Sequence, residues 1–185
     1  RFRAAGHRLY LVGGTVRDLL AGDGSHEVDF DATTDARPEE IKQLLRGWAD
    51  AIWTQGERFG TIGAKKKGPQ GDRTYEITTH RAEHYHLDSR KPDVEFSDRI
   101  EADLSRRDFT FNAMALELTS DSPTLVDPFG GAVDLVTRTL RTPLAPEVSF
   151  SDDPLRMLRA ARFIARLQAT PVPELVEAVR SMSSR

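Results

Sequence analysis

The chain contains no cysteine in its 185 residues. Disulfides and thiolate metal sites are thereby excluded, and the composition suits a reducing cytoplasm, where we expect the protein to act. Long apolar runs are also missing, so no membrane-spanning helix and no membrane partner are expected. No stretch has the charged-then-apolar order of a secretion leader. The first residue is Arg1 rather than methionine, which points to a preceding segment. Internal repeats are absent. Neither sign of charge dominates: 26 Lys and Arg stand against 29 Asp and Glu, a net charge of −3. That balance excludes a uniformly basic nucleic-acid coat but not a local basic patch. Such clusters occur at Lys65-Lys66-Lys67, Arg90-Lys91 and Arg106-Arg107, and in the series Arg156, Arg159, Arg162 and Arg166. At 38% hydrophobic and 30% charged residues, the chain reads as a globular domain with an extra element.

Residues 9–12 form a short apolar run ending at Gly13-Gly14, as a buried strand feeding a turn would. A helix is expected over 15–20 and a second strand over 27–31. Thr34 or Asp35 is the expected cap of a helix over 38–46. Residues 59–64 and 74–79 read as strands joined by a polar hairpin loop. Residues 81–93 have no hydrophobic period and read as a long loop. A short helix over 100–105, strands over 113–118 and 124–127, a turn at DPFGG, a helix over 131–136 and a last strand over 139–142 complete a mixed region. Beyond Pro143 only helical patterns occur, over 154–167 and 173–182. The second of these has nothing evident to pack against, so further helices are expected to follow. We divide the chain into residues 1–147 and a helical segment, 148–185.

Asp29 and Asp31 lie two apart in VDFDATTD, so on a strand they share a face. Two such carboxylates repel unless a cation lies between them, and Mg²⁺ suits the pair because it takes carboxylates, waters and phosphate oxygens together. Two metals can activate a 3′-hydroxyl and stabilise leaving pyrophosphate. An Asp-x-Asp alone equally fits an exposed edge strand. Glu76, mid-strand in YEITT, adds weight as a third ligand on a neighbouring strand, since a buried strand carboxylate needs a partner. In GGTVRD, Gly13 and Gly14 allow close backbone approach, the helix start favours phosphate, and Arg17 offers a fork of donors. By itself the double glycine is only a turn, and its spacing fits neither an ATPase loop nor a dinucleotide fingerprint. His84 and His86 have no cysteine or third strong ligand nearby, so no zinc site is expected.

GGTVRD, DFDATTDARPEE, RFGTIGA, YEITTHR, DLSRRDFTFNAMAL, LVDPFGG and DDPLRMLRAARF follow one another in this order. Together they resemble the bacterial class II tRNA nucleotidyltransferases (CCA-adding enzymes) and the bacterial poly(A) polymerases of the polymerase β nucleotidyltransferase superfamily. The likeness covers nearly the whole chain. It implies an α+β fold: a nucleotidyltransferase head with a mixed β-sheet, then the start of an all-helical neck, with body and tail regions elsewhere. It implies two Mg²⁺ on Asp29 and Asp31, with Glu76 orienting or deprotonating the primer hydroxyl. Gly14 and Arg17 match phosphate-gripping positions. Arg107 and Asp108 match a ribose-selecting segment, where Asp108 accepts a 2′-hydroxyl.

Asp153 and Arg156 match the acid and arginine that template the incoming base. Cytosine and adenine each present an amino donor beside a ring-nitrogen acceptor; a carboxylate accepts from the first and a guanidinium donates to the second. Uracil and guanine present a carbonyl instead and are rejected. A plainer role for Asp153 is to cap the helix that follows. Arg156, Arg159, Arg162 and Arg166 fall within roughly a 120° arc, while Met157, Leu158, Ala160, Ala161, Ile164 and Ala165 fill most of the remainder for packing on the head. Asp152 replaces a common glutamate and His80 a common aromatic.

The implied activity is addition of C and A to a tRNA 3′ end from CTP and ATP. The alternatives are poly(A) addition, CC-only or A-only addition, and a non-catalytic RNA-binding module. A loop of full length at 81–93 favours the ability to add A. The chain alone is expected to bind nucleotide but hold tRNA weakly, and nothing in it sets an oligomeric state.

Overall fold

The computed structural model describes residues 1–22, 30–69, 71–86 and 89–183, with only the backbone described over 82–86 and 89–94. Asp29 and the side chains of His84 and His86 lie outside the described residues.

The first strand, β1 (Leu9–Val12), alternates partly and fully buried side chains and runs into α1 (Gly14–Leu20). Strand β2 (Phe30–Thr34) extends further than expected, through Thr33 and Thr34. Their β-branched side chains suit a strand, and both hydroxyls are satisfied where they are buried. Thr33 Oγ1 donates to Thr78 O at 3.0 Å and meets His80 Nδ1 at 2.8 Å, while Thr34 Oγ1 donates to Arg8 O at 2.5 Å. With Thr34 in the strand, Arg37 becomes the residue before α2 (Pro38–Leu45), in place of the expected Thr34 or Asp35 cap. Glu40 Oε2 accepts the Arg37 N–H at 2.8 Å, and Ile41 and Leu45 point into the core.

A short strand that the pattern did not reveal, β3 (Ala51–Trp53), pairs with β4 (Thr61–Lys66), which pairs in turn with β5 (Arg73–Thr79). Residues 81–93, expected as a loop, are a backbone hairpin of β6 (Arg81–His86) and β7 (Ser89–Phe96), with an irregularity between His84 and His86. Hydrophobic alternation marks a strand with one buried face; this ribbon forms a separate two-stranded sheet and needs no such face. Helix α3 (Ile100–Ser105) leads to a 3₁₀ turn at Thr110–Asn112, then to β8 (Ala115–Glu117) and β9 (Leu125–Val126).

The main sheet has seven strands in the order β3-β4-β5-β2-β1-β8-β9. Its β2–β5 pair is parallel and its other pairs are antiparallel. One face packs Ala32, Ile62, Ala64 and Ile77 against Ile41 and Leu45 of α2. The opposite face packs Tyr10, Val12 and Ala115 against Ile100 and Leu104 of α3.

Helix α4 (Gly131–Val136) is capped by Asp127, whose carboxylate accepts the Gly131 and Ala132 N–H groups at 2.7 and 2.9 Å. The expected final strand is only the two-residue β10 (Thr139–Leu140). An unanticipated helix, α5 (Pro146–Asp152), precedes α6 (Leu155–Leu167). After it, β11 (Thr170–Pro171) pairs in parallel with β10 and leads into α7 (Pro173–Met182). Contrary to expectation, α7 is well packed: Leu175 and Ala178 share a buried cluster with Phe109, Phe111, Phe150 and Phe163. Helix α6 also turns differently from its expected packing face. Arg156, Ala160 and Phe163 are buried, whereas Leu158 is 69% exposed, Ile164 38%, and Ala161 and Ala165 are exposed. The inward stripe runs i, i+4, i+7, which brings the arginine side round to the head.

Gly131 sits where a Cβ would lie 2.2 Å from the Thr110 carbonyl oxygen. Neither backbone can yield cheaply. Gly131→Ala is therefore expected to cost about 1–3 kcal/mol of stability, read as a lower urea midpoint with an unchanged denaturant slope.

Candidate active site

The sheet register brings the acidic side chains together. Asp31 of β2 is the parallel partner of Glu76 of β5, so the two carboxylates sit side by side on one face, about 4.8 Å apart in strand spacing. Both residues are exposed. Glu76 is therefore not a buried carboxylate in need of a partner, as its sequence context suggested; its register beside Asp31 is what singles it out. Among the described residues, no group of three His, Asp or Glu side chains converges on one point.

Asp31 lines a cleft of about 490 Å³. Gly13, Gly14 and Arg17 form one wall, Arg106, Arg107, Asp108 and Asn112 a second, and Asp153, Arg156, Arg159, Arg162 and Arg166 of the α5–α6 region a third. The four-arginine stripe read from the sequence thus faces this one space. Arg81, at the start of β6, also reaches it. So many guanidinium groups make the cleft strongly attractive to polyanions.

Several of these arginines are held by bonds within the protein. Arg17 is buried, donating to Asp18 through Nε at 2.7 Å and to Asn112 Oδ1 through Nη1 at 2.7 Å. Its guanidinium lies over the Phe163 ring at 5.5 Å. Asn112 Nδ2 donates to Asp108 Oδ1 at 2.9 Å, and Arg159 Nε donates to Asp108 Oδ2 at 2.8 Å. One chain of bonds therefore links α1, the 3₁₀ turn and α6. Arg156 donates to Ser149 Oγ at 2.8 Å and to the Arg106 carbonyl at 2.6 Å. Asp153 Oδ1 accepts the Leu155 N–H at 3.0 Å, which is the capping role.

Asp103 escaped the sequence reading. It is fully buried, and Arg106 and Arg107 donate to its two oxygens at 2.8 and 3.0 Å. Burial alone would push its carboxyl up, but the two guanidinium groups override that and hold it far below the ordinary carboxylate range. The i, i+3, i+4 spacing in DLSRR was the available signal. Asp103 fixes Arg107 so that its Nη1 lies 3.2 Å from the point where a Gly13 Cβ would be. Gly13 also has φ +68°, so a side chain there is disfavoured twice. His80 is buried with its ring tilted against Tyr10 at 5.6 Å, and burial lowers its pKa. It fills the expected aromatic position as a neutral ring.

Residues 9–141 match the family described as the poly A polymerase head domain. The CCA-adding enzyme of Bacillus subtilis (strain 168) is 41% identical over 97% of this chain, and that of Lactobacillus helveticus 44% over 89%. The chain spans only 42% and 38% of those proteins. Among solved structures, the Bacillus stearothermophilus CCA-adding enzyme in complex with CTP superposes with a TM-score of 0.81 at 34% identity, covering 99% of this chain and 41% of that one. A CCA-adding enzyme with ATP superposes at 0.79 and 31% identity, covering 98% and 39%. The α+β fold is that of the polymerase β-like head, and the chain belongs to the poly A polymerase head domain family.

Proposed function

We propose that this chain is the catalytic part of a template-independent RNA nucleotidyltransferase that adds C and A to tRNA 3′ ends from CTP and ATP. The observation that carries the reading is Asp31, in register with Glu76 and at the wall of an arginine-lined cleft. The two exposed oxygen-donor side chains fit a hard divalent cation such as Mg²⁺, and Asp29, two residues before Asp31, would be the further ligand. When bound, such an ion supplies Lewis-acid charge at the α-phosphate and the primer hydroxyl. Residues 1–147 would then be the catalytic head and 148–185 the start of a neck. The buried contact of Phe150, Phe163 and Leu175 with Phe109 and Phe111 makes the two continuous. A reducing cytoplasmic setting suits the cysteine-free composition.

In the proposed reaction the primer 3′-oxygen attacks the α-phosphorus, and the bond from that phosphorus to the bridging oxygen of the β-phosphate breaks. Pyrophosphate leaves. Glu76 orients the hydroxyl and takes its proton. The arginine cleft holds the triphosphate, and the fixed positions of Arg107 and Arg17 require little reorganisation as charge moves to the leaving group. Asp108 is buried and already bonded to Arg159, Asn112 and its own loop. Its role toward a ribose 2′-hydroxyl therefore requires sharing an oxygen that Arg159 also uses. Arg156 can template a base with the N–H groups it does not spend on Ser149 and Arg106, and Asp153 with its second oxygen.

Asp31→Asn is expected to lower nucleotide incorporation into tRNA lacking CCA by more than about 100-fold, since loss of even an outer partner of a metal ligand costs 10–100-fold. Wild-type turnover in that variant would end the catalytic assignment. Offering each nucleotide singly and in pairs separates the product readings: unlimited A tails would replace CCA addition with poly(A) addition, and no incorporation at all would leave an RNA-binding module.

Asp153→Asn presents a donor as well as an acceptor to the base. Discrimination of CTP over UTP is expected to fall by at least about tenfold, measured as a ratio of kcat/KM values.

Asp103→Asn leaves two guanidinium groups without their shared carboxylate and is expected to cost about 3–5 kcal/mol. The wild-type carboxyl is held low in the folded state, so its contribution is complete above the ordinary carboxylate range. It is lost only as pH falls well below that range. The wild-type advantage in melting temperature should therefore be the same at pH 6 and pH 8, and should begin to shrink only below about pH 4.

A further inference from the structure

The catalytic face of the sheet continues past Glu76. Gly63 of β4 is the antiparallel partner of Glu76, and Trp53 of β3 is the partner of Gly63. Directly opposed residues share a face, so Asp31, Glu76, Gly63 and Trp53 make one row across four strands. Gly63 has no side chain to fill its place in that row, and the Trp53 indole occupies it. A Cβ on Gly63 would lie 2.0 Å from the indole Nε1 and Cε2. The ring therefore lies against the Gly63 backbone, beginning about one strand spacing, some 4.8 Å, beyond Glu76.

Ordinary core packing does not account for this tryptophan. It is half-buried and belongs to none of the three buried clusters among the described residues, whereas its neighbour Ile52 packs into the cluster beneath the opposite face. Two residues along β4 from Gly63, on the same face, Lys65 carries an ammonium paired with the surface carboxylate of Asp72 at 2.8 Å. Such exposed pairs exchange partners at little cost.

Geometry then assigns a direction. The described lining of the arginine cleft includes Asp31 but no residue of β3, β4 or β5. The triphosphate and its leaving pyrophosphate belong on that cationic side. An in-line displacement brings the attacking oxygen from the side opposite the leaving group. The primer end must therefore arrive over β5 and β4, where Trp53 is the aromatic surface.

We propose that the Trp53 indole, seated on Gly63, is the stacking platform for the base of the primer's 3′-terminal nucleotide. This rests on the assignment of Asp31 and Glu76 to the reaction centre. A chain-extending enzyme meets a different terminal base after each addition. Stacking tolerates that change because every base has a π-face, whereas a hydrogen-bonding reader would not.

The test uses an RNA primer ending in 2-aminopurine, beside a control primer carrying it at an interior position. Binding of the wild-type protein should quench the terminal probe and not the interior one, and Trp53→Leu should abolish the quench. In that variant kcat/KM for the primer should fall about tenfold, the scale of one lost base–aromatic contact, with the KM for CTP unchanged. Trp53→Phe should recover part of both signals. Gly63→Ala, which displaces the indole, should share the Leu phenotype. Retained CTP binding distinguishes these outcomes from misfolding. An equal quench in Trp53→Leu, or a loss confined to CTP affinity, would overturn the proposal. Failure of the underlying assignment is seen separately, as incorporation that survives in Asp31→Asn.

Discussion

The cleft depends on a carboxylate that solvent does not reach. Asp103 is charged although fully buried, because Arg106 and Arg107 reach both of its oxygens from the next turn of chain. The consequence is positional. With its side chain tied back to Asp103, Arg106 offers its carbonyl to Arg156 of α6, and Arg107 stands against Gly13 at the end of β1. Two walls of the cleft are thus referenced to one buried charge. A second network, from Arg17 through Asn112 and Asp108 to Arg159, joins the same walls by a different route. Charged groups in such networks are costly to leave half-paired, so the cleft geometry is specified more sharply than its apolar packing alone would specify it.

What could be read from the chain alone follows a physical division. Residues whose chemistry is local were legible: the Gly13-Gly14 turn, the arginine spacing on α6 and the alternation of β1. Relationships set by strand register were not. That Asp31 and Glu76 are neighbours is a fact about parallel pairing of β2 and β5, and no property of YEITT states its partner. The buried-strand argument for Glu76 failed on this point, since its neighbours on β5 are buried by α2 while it faces the other way. The hairpin over β6 and β7 was missed for a related reason. Period-two hydrophobicity reports burial of one face, so a strand pair outside the main sheet leaves no such trace. Asp103 was missed although its i, i+3, i+4 pattern was visible, because the same pattern on a surface helix is an unremarkable ion pair. Only burial separates the two cases.

Helix α6 illustrates how one element serves two constraints. Its inward stripe is not purely apolar: Arg156 lies on it, buried, with both terminal nitrogens bonded. A sequence window sees arginine and assigns the position to solvent. In the folded chain the aliphatic stem packs and the head group satisfies a carbonyl and a hydroxyl. That inward rotation turns Arg159, Arg162 and Arg166 toward the cleft, and it leaves Leu158 outside. Arginine presentation and core packing are therefore one choice of helix rotation.

The parallel pair β2–β5 sets the chemistry apart from its surroundings. The β1 side of Asp31 within the cleft is dominated by arginines: Arg17, Arg106, Arg107, Arg156, Arg159, Arg162 and Arg166 all line it. Everything past Glu76 in the same row is small or aromatic: a glycine with an indole laid on it. A reaction that joins a polyanionic nucleotide to the end of an RNA strand has this same asymmetry, with charge accumulating on one side of the reacting phosphorus and a neutral hydroxyl arriving on the other. A central strand whose neighbours differ in character on its two sides satisfies both requirements without moving. An antiparallel β5 could reach the same register at Glu76, but its own connections would then enter from the opposite end of the sheet. Arg81, two residues past Thr79, would leave the cleft edge it now reaches.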